Sequence, residues 1–474
     1  MSRLYIFGIG GTGARVLKSL TMLLAAGVKL KGIDDVVPVL IDADQQNGDL
    51  TRTVELLERY GEIRSHLSFE DVDRDAFFGT SISDKGMHYR VPISGEVNKT
   101  FGDFIHFNQL DEQNQALISL LFSKKNLKAE MNVGFKGNPN MGSVVLNNFS
   151  EDKRADISLK QLLSSFQCDD RIFIISSIFG GTGAAGFPLL LKRLRGAMAE
   201  DFQAAAFLRQ CQIGGVTVLP YFGVENSEES TVNMGTFLSK AKSALTYYLN
   251  NLDVNVLYYI GDDLKNNYRN CEGGRYQENN AHFVEMAAAL AVVDFAAGDF
   301  QEGHVFKEYA IRKDVDPVTL PQLSVQTQQV MRKPLMQFFL FCEFFKNKLS
   351  KSLSYAWARD KHLQEAVFQT EPYKSLNIFF DGFLDWLHEM EENSRSFRPF
   401  DLDFAKQNPL DAVVGILPLR ENFLRRHFGP DRGYFTLLDA MEKVSVKMPQ
   451  KISREDYVMN VFFDATSSVI QQYF

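Results

Sequence analysis

The chain has 474 residues, 45% of them hydrophobic, which is enough for a large core and for two or three domains. Its net charge of −8 includes no basic stripe for nucleic acid and no basic patch for a membrane surface. The opening MSRLYIFGIGG lacks the flank and apolar core of a signal peptide, the apolar runs are too short to span a bilayer, and four scattered cysteines form no C-x-x-C pair, so a cytoplasmic protein with reduced thiols is expected.

Residues 3–7 read as a β run, and 14–27 repeat apolar residues at Val16, Leu17, Leu20, Leu23 and Leu24 as one helix face does. Val36–Ile41 is a second apolar strand that ends in Asp42-Ala43-Asp44, so the opening unit is a parallel βαβ. Residues 45–130 mix charged and aromatic segments around a helix near Glu112–Phe122, and read as an insertion. A short helix over Ser158–Phe166 then leads into a buried strand at Arg171–Ser176 and a helix at Ala184–Arg195.

Strands follow at Gly215–Tyr221 and Val254–Ile260, separated by a helix from about Val232 to Leu249. Residues 281–297 are apolar nearly all round, which predicts a helix buried in the middle of the fold. Beyond a loop containing Asp316-Pro317 and Leu320-Pro321 the composition turns to Phe-rich helices, at about 326–370 and 374–395, with the second domain starting near 300–320. The division expected is 1–300 as an α/β domain carrying the insertion, and 301–474 as a helix-rich second domain.

Two glycine turns carry the chemistry. Gly8-Ile9-Gly10-Gly11-Thr12-Gly13 joins a strand to a helix start, where free backbone N–H groups and the helix dipole favour a phosphate. Alone it also matches a dinucleotide-binding domain, with Asp42 or Asp44 on a ribose. Gly180-Gly181-Thr182-Gly183 repeats the arrangement after the second strand, and a dinucleotide fold needs only one such turn. His282 reads as a helix-start or core histidine, Phe338–Phe345 as core or interface, and Asp169-Asp170 as a turn.

With both turns in view, Phe179–Gly186 (FGGTGAAG) resembles the G-G-G-T-G-S/T-G signature of the tubulin/FtsZ superfamily, with Phe179 and Ala185 in place of glycines. The resemblance is collinear. IFGIGGTGARVL is similar to the family's first phosphate loop, Leu40–Gln45 to its post-strand segment, and Gly134–Gly142 to its loop near the γ-phosphate. Gly215–Asn226 resembles the strand and sugar-facing loop, with Glu225 the candidate there, and Asn279-Asn280 stands where the family reads the guanine edge.

The resemblance implies a parallel sheet with a central buried helix, GTP or GDP held with Mg²⁺, and head-to-tail self-association. The nucleotide contacts implied are Gly10, Gly11, Thr12, Gly13, Asp42, Asp44, Gly137, Asn138, Gly142, Gly180, Gly181, Thr182, Gly183, Glu225, Asn279 and Asn280. In the family, acids after the central helix complete the next subunit's site and position water. This chain has Ala297–Glu302 there without N-x-D-x-x-D, which leaves Asp299 and Glu302 as the candidate catalytic acids, their other reading being solvated loop charges. The resemblance also leaves room for a further protein partner at the insertion or the C-terminal domain. A scaffold that binds nucleotide without hydrolysis, and an NAD-binding oxidoreductase, are the alternatives.

Overall fold

The computed structural model describes residues 2–44, 47–69, 74–91, 99–131, 135, 138–147, 153–198, 204–224, 234–263, 267–268, 279–301, 303–312, 314–416 and 432–474. Seven strands build one sheet: β1 (Arg3–Ile9), β2 (Asp35–Ile41), β3 (Ser81–Ile82), β4 (Arg171–Ser177), β5 (Ile213–Val218), β6 (Val256–Ile260) and β7 (Val305–Tyr309). Their order is β3-β2-β1-β4-β5-β6-β7, and every pairing is parallel. Strands β1, β2 and β5 are buried along their whole length. A parallel strand covered on both faces needs a continuous apolar run, as these have, rather than an alternating one.

The helices that frame the sheet are α1 (Gly10–Ala25), α2 (Gly48–Ser65), α3 (Pro139–Asn147), α4 (Gly181–Arg195), α5 (Met234–Asn251) and α6 (Phe283–Ala297). Two neighbouring glycines of β5 show where α4 and α6 lie. A Cβ on Gly214 would meet the Phe295 ring of α6 at 2.7 Å, and one on Gly215 would strike Phe187 of α4. Successive strand residues face opposite sides, so the two helices enclose the sheet from either face, pressed close where β5 has no side chain.

Helix α6 is the buried helix that its composition predicts, with Ala288, Ala289, Val292 and Phe295 all within the core. Its two acids each find partners: Glu285 near its start, and Asp294 near its end, where Tyr258 donates at 2.6 Å and Lys307 at 2.5 Å. Its last turn docks at the beginning of β4, where Arg171 donates to the carbonyls of Ala296 (3.3 Å) and Gly298 (3.1 Å). The helix therefore runs from the carboxyl ends of the strands to their amino ends. Asp170 does more than mark a turn: it is buried and grips Arg3 at 2.6 Å, which ties the starts of β1 and β4 together.

Within 45–130, α2 packs on α1 and β3 adds the sheet's edge, while a helix at Glu112–Leu121 lies farther along. The sheet also continues past residue 300, because β7 pairs with β6. No strand was expected here; half exposed at the sheet edge, it lacks the apolar run that marks the inner strands.

The C-terminal helices α7 (Val325–Ser352), α8 (Tyr373–Glu392), α9 (Arg432–Ser445) and α10 (Arg454–Tyr473) pack through aromatic rings. Phe338, Phe341 and Phe344 are buried, as expected of a core stretch. Helix α7 stops at Ser352, short of the expected 370, where the Trp357 indole donates to the Ser352 carbonyl at 3.1 Å. Phe77 of the first half inserts among Phe338, Phe341 and Phe463, and Trp386 donates to Ser19 of α1 at 3.1 Å. Among the described residues, no helix is long and apolar enough to cross a membrane.

A side chain at Gly215 has no space between β5 and Phe187. Gly215→Val is expected to lower stability by about 1–3 kcal/mol, read from the denaturant midpoint. An unchanged midpoint would mean that α4 does not press on β5.

Candidate functional site

The strand order reverses between β1 and β4, which lie side by side with Gly8 level with Ile175. In open α/β sheets, ligands bind beyond the carboxyl ends of the strands at such a reversal, because the connections diverge there and leave a crevice. Both glycine turns occupy this place. A Cβ on Gly10, whose φ is +74°, would lie 3.6 Å from the Gly183 nitrogen and 3.7 Å from the Thr182 Cβ, so the turns face each other.

The helix starts are built alike. Helix α1 is preceded by Ile9 and α4 by Gly180, neither of which supplies a side-chain cap, and neither first turn carries an acid. Their first N–H groups and the positive ends of two helix dipoles thus remain available to an anion. Neighbouring helices differ: Asn47 caps α2, and His282 caps α6 by accepting from the Val284 amide at 3.0 Å. Burial holds the His282 pKa down at about 4, so this histidine is a neutral cap, in keeping with a helix-start residue.

The glycines divide between anion approach and packing. A Cβ on Gly13 would sit 2.5 Å from the Gly8 carbonyl carbon, and one on Gly183 would sit 2.9 Å from the Ser177 oxygen; each seats its helix on its own strand. Gly181 would meet the Phe135 Cβ at 2.8 Å and the Asn138 nitrogen at 3.1 Å, and Gly142 would meet the Gly181 oxygen at 2.5 Å. The third loop therefore packs directly on the second turn. Asn138 caps α3, accepting from the amides of Asn140 (3.1 Å) and Met141 (3.4 Å). Gly11 has room, with nothing nearer to its Cβ than Asn47 at 3.5 Å, and it lacks the positive φ that would strain a side chain at Gly10. Phe179 turns its ring onto Phe222 and Tyr221, so the bulk that replaces a signature glycine goes into an aromatic cluster.

Asp42 and Asp44 are buried beyond β2. Burial raises the Asp42 pKa from the ordinary 3.8 to about 7, against hydrogen bonds from the Asp44 amide and from Thr182 that favour its charge. Thr182 thus joins the second turn to this carboxyl.

The residues that pattern reasoning missed form a buried network behind the first turn. Arg15, 4% exposed, donates to Glu285 at 2.5 Å, to Asp49 at 2.5 Å and to the Tyr221 hydroxyl at 2.9 Å. Tyr221 donates in turn to Glu285 at 2.6 Å. Removing one partner from a buried pair of this kind costs about 3–5 kcal/mol, because the other charge is left in a dry interior. The signal was present as charges inside largely apolar helices, Arg15 on α1 and Glu285 on α6.

Asp49 also carries the network to the segment of Asn279 and Asn280. Its carboxylate accepts from the Asn279 amide at 3.3 Å and from Arg52 at 2.7 Å, and Arg52 donates to the Asn279 carbonyl at 3.2 Å. Asn280 beside it is exposed. The structure thus brings Gly11, Thr12, Asn279 and Asn280 to one side of the crevice. Asp299 lies at the other end of α6, exposed, and accepts from Gln212 at 3.0 Å. Gly137, Glu225 and Glu302 lie outside the described residues.

Between about pH 4 and about pH 7 the folded chain holds a proton on Asp42 that the unfolded chain has released, so stability from this carboxyl falls as pH rises through that window. Asp42→Asn removes the titration. Thermal melts at about pH 5 and about pH 8 should show the variant gaining more on the parent chain at the higher pH. Equal differences at both would assign Asp42 an ordinary pKa.

No protein-family model matches the chain, and no curated protein does. Among solved structures, CetZ from Methanosaeta thermophila strain DSM 6194 is similar over 63% of this chain and 52% of its own, at 14% identity and a TM-score of 0.30. CetZ2 from Haloferax volcanii, solved as a GTPγS-bound protofilament, is similar over 63% of this chain and 58% of its own, at 13% identity and a TM-score of 0.30. The chain spans little more than half the length of these proteins, and the likeness to them is distant.

Proposed function

We propose that the chain is a tubulin/FtsZ-like protein that binds a guanine nucleotide in the crevice between the two glycine turns. The observation that carries this reading is the pair of uncapped, acid-free helix starts facing each other where the strand order reverses. One such start suits a phosphate, and two suit a polyphosphate. The turns of Gly10–Gly13 and Gly180–Gly183 would hold the phosphates through backbone amides. The third loop, with Asn138 and Gly142, braces the second turn. Asn279 or Asn280 would read the base, because an amide offers the donor and the acceptor that a guanine edge needs.

The donor set suits Mg²⁺ only as a partner of the phosphates. Among the described residues no cluster of three His, Cys, Asp or Glu side chains could hold a metal, while Mg²⁺ commonly takes one or two carboxylates plus phosphate oxygens. Asp42 and Asp44 are the carboxylates proposed, and a bound divalent cation would keep Asp42 ionised at neutral pH. The ion would supply charge neutralisation of the phosphates.

The direction of α6 supports a reading of head-to-tail assembly and hydrolysis. It starts by the base-reading segment and ends beside Asp299, at the amino ends of the strands. Stacked head to tail, each subunit would offer Asp299, with Glu302, to the crevice of the next, where a carboxylate could orient water. Such a heterologous contact makes filaments when it does not close.

Titration calorimetry should give GTP and GDP at least about tenfold tighter binding than ATP, with the margin lost when both Asn279 and Asn280 become Ala. Gly11→Val places a branched side chain where an anion would meet the backbone and should abolish binding with the melting temperature held. Gly181→Val is the poorer test, since Phe135 leaves it no room. Full affinity in a folded Gly11→Val chain would make the first loop a mere turn. Turnover per subunit should rise with protein concentration, and Asp299→Ala should keep GTP affinity while losing most turnover. Turnover independent of concentration, without polymer on GTP addition, would replace the shared-site mechanism by a scaffold that binds nucleotide only.

A further inference from the structure

A cavity of about 360 Å³ lies behind the glycine turns, between the sheet and the helices α3 and α4. Its inner wall is Ile9 and Ile41, the last residues of β1 and β2, which are 1% and 4% exposed. Leu146, Leu159 and Leu190 continue the wall and are also buried. Gly186 belongs to the same wall and leaves space there: a Cβ on it would reach Ile9 at 2.9 Å.

The rim is cationic. Lys192 and Arg193, in the last turn of α4, line the cavity together with Leu189 and Asn147. Cations at a helix C-terminus often serve only its dipole, and Arg195 in the same turn illustrates the structural role, donating to the Cys211 carbonyl at 2.9 Å and to Asn255 at 2.9 Å. Lys192 differs. It is exposed at the rim and makes no ion pair among the described residues.

We infer that this cavity binds a medium-chain amphipathic carboxylate, with its acyl chain on Ile9, Ile41 and Leu159 and its carboxylate at Lys192 and Arg193. The volume falls within the range of small-molecule sites, roughly 300–1,000 Å³. Filling an apolar wall removes hydrophobic surface from water, and the rim sets the polarity of the head group. Among the described residues the lining holds no acid, so a cationic head finds no complement there, and a neutral one gains no ion pair. The inference does not depend on nucleotide binding, because the ligand would sit behind the turns rather than in the crevice between them.

The test is titration of the full chain with decanoate, decanol and decylamine below their micelle concentrations, with no nucleotide present. Decanoate should bind, decanol more weakly, and decylamine least. Leu189→Trp, which fills the cavity from α4, should weaken decanoate by at least about tenfold. Lys192→Glu, at an exposed position where folding is not at risk, should weaken decanoate while leaving decanol unchanged. A melt followed by circular dichroism checks that both variants are folded, and Lys192→Glu decides alone if Leu189→Trp is not. Absence of decanoate binding, decylamine binding as tight as decanoate, or decanoate affinity unaffected by Lys192→Glu would each overturn the inference.

Discussion

The reversal of strand order between β1 and β4 is the constraint on which the site depends. Parallel strands all end on the same side, so their following helices all begin there; at a reversal the two connections lead away from each other and leave their helix starts adjacent. Unsatisfied N–H groups at those starts are a liability in a dry core and an asset at a crevice. This chain leaves both starts without a side-chain cap and caps the starts of α2 and α6 instead. The polar treatment of each helix end thus follows its place relative to the crevice.

Charge behind the crevice is arranged with equal economy. One buried guanidinium, that of Arg15, meets two carboxylates, Asp49 and Glu285, that come from two other helices. Each ion is costly to bury alone, so the attraction of both carboxylates to Arg15 holds the three helices α1, α2 and α6 in register. Arg52 extends this to the main chain of Asn279, and Tyr221 closes it with its hydroxyl. The predicted base-reading segment is therefore positioned by the same charges that fix α1 beneath the first turn.

The helix-rich region reaches this place as well. Glu389 of α8 accepts from the Ala281 amide at 2.8 Å and pairs with Lys18 at 3.1 Å, and Asn393 donates to the Ala281 carbonyl. Arg395, buried, pairs with Asp262 beyond β6 at 2.7 Å. Together with the Phe77 and Trp386 contacts these bonds join the C-terminal helices to the strand-end face of the sheet and to α1, so the segment that starts α6 is held from both regions of the chain.

The sequence by itself determined the elements whose burial is uniform: the apolar runs of β1, β2, β4 and β6, the apolar helix α6, and the two glycine turns with their helices. A strand buried on both faces, or a helix buried all round, must be apolar throughout, and that pattern is local. It also narrowed Phe338–Phe345 to core or interface and His282 to a helix start or core, and the structure makes the first core and the second the cap of α6. Only the tertiary structure decided what depends on neighbours distant in the chain. β7 is half exposed and carries no apolar run, so its pairing with β6 is invisible locally. Gly142 and Gly181 look like loop glycines in sequence, yet each yields space to the other's segment. Asp49 and Glu285 lie 34 and 270 residues from Arg15 along the chain, and a buried charge announces that it needs a partner without saying which.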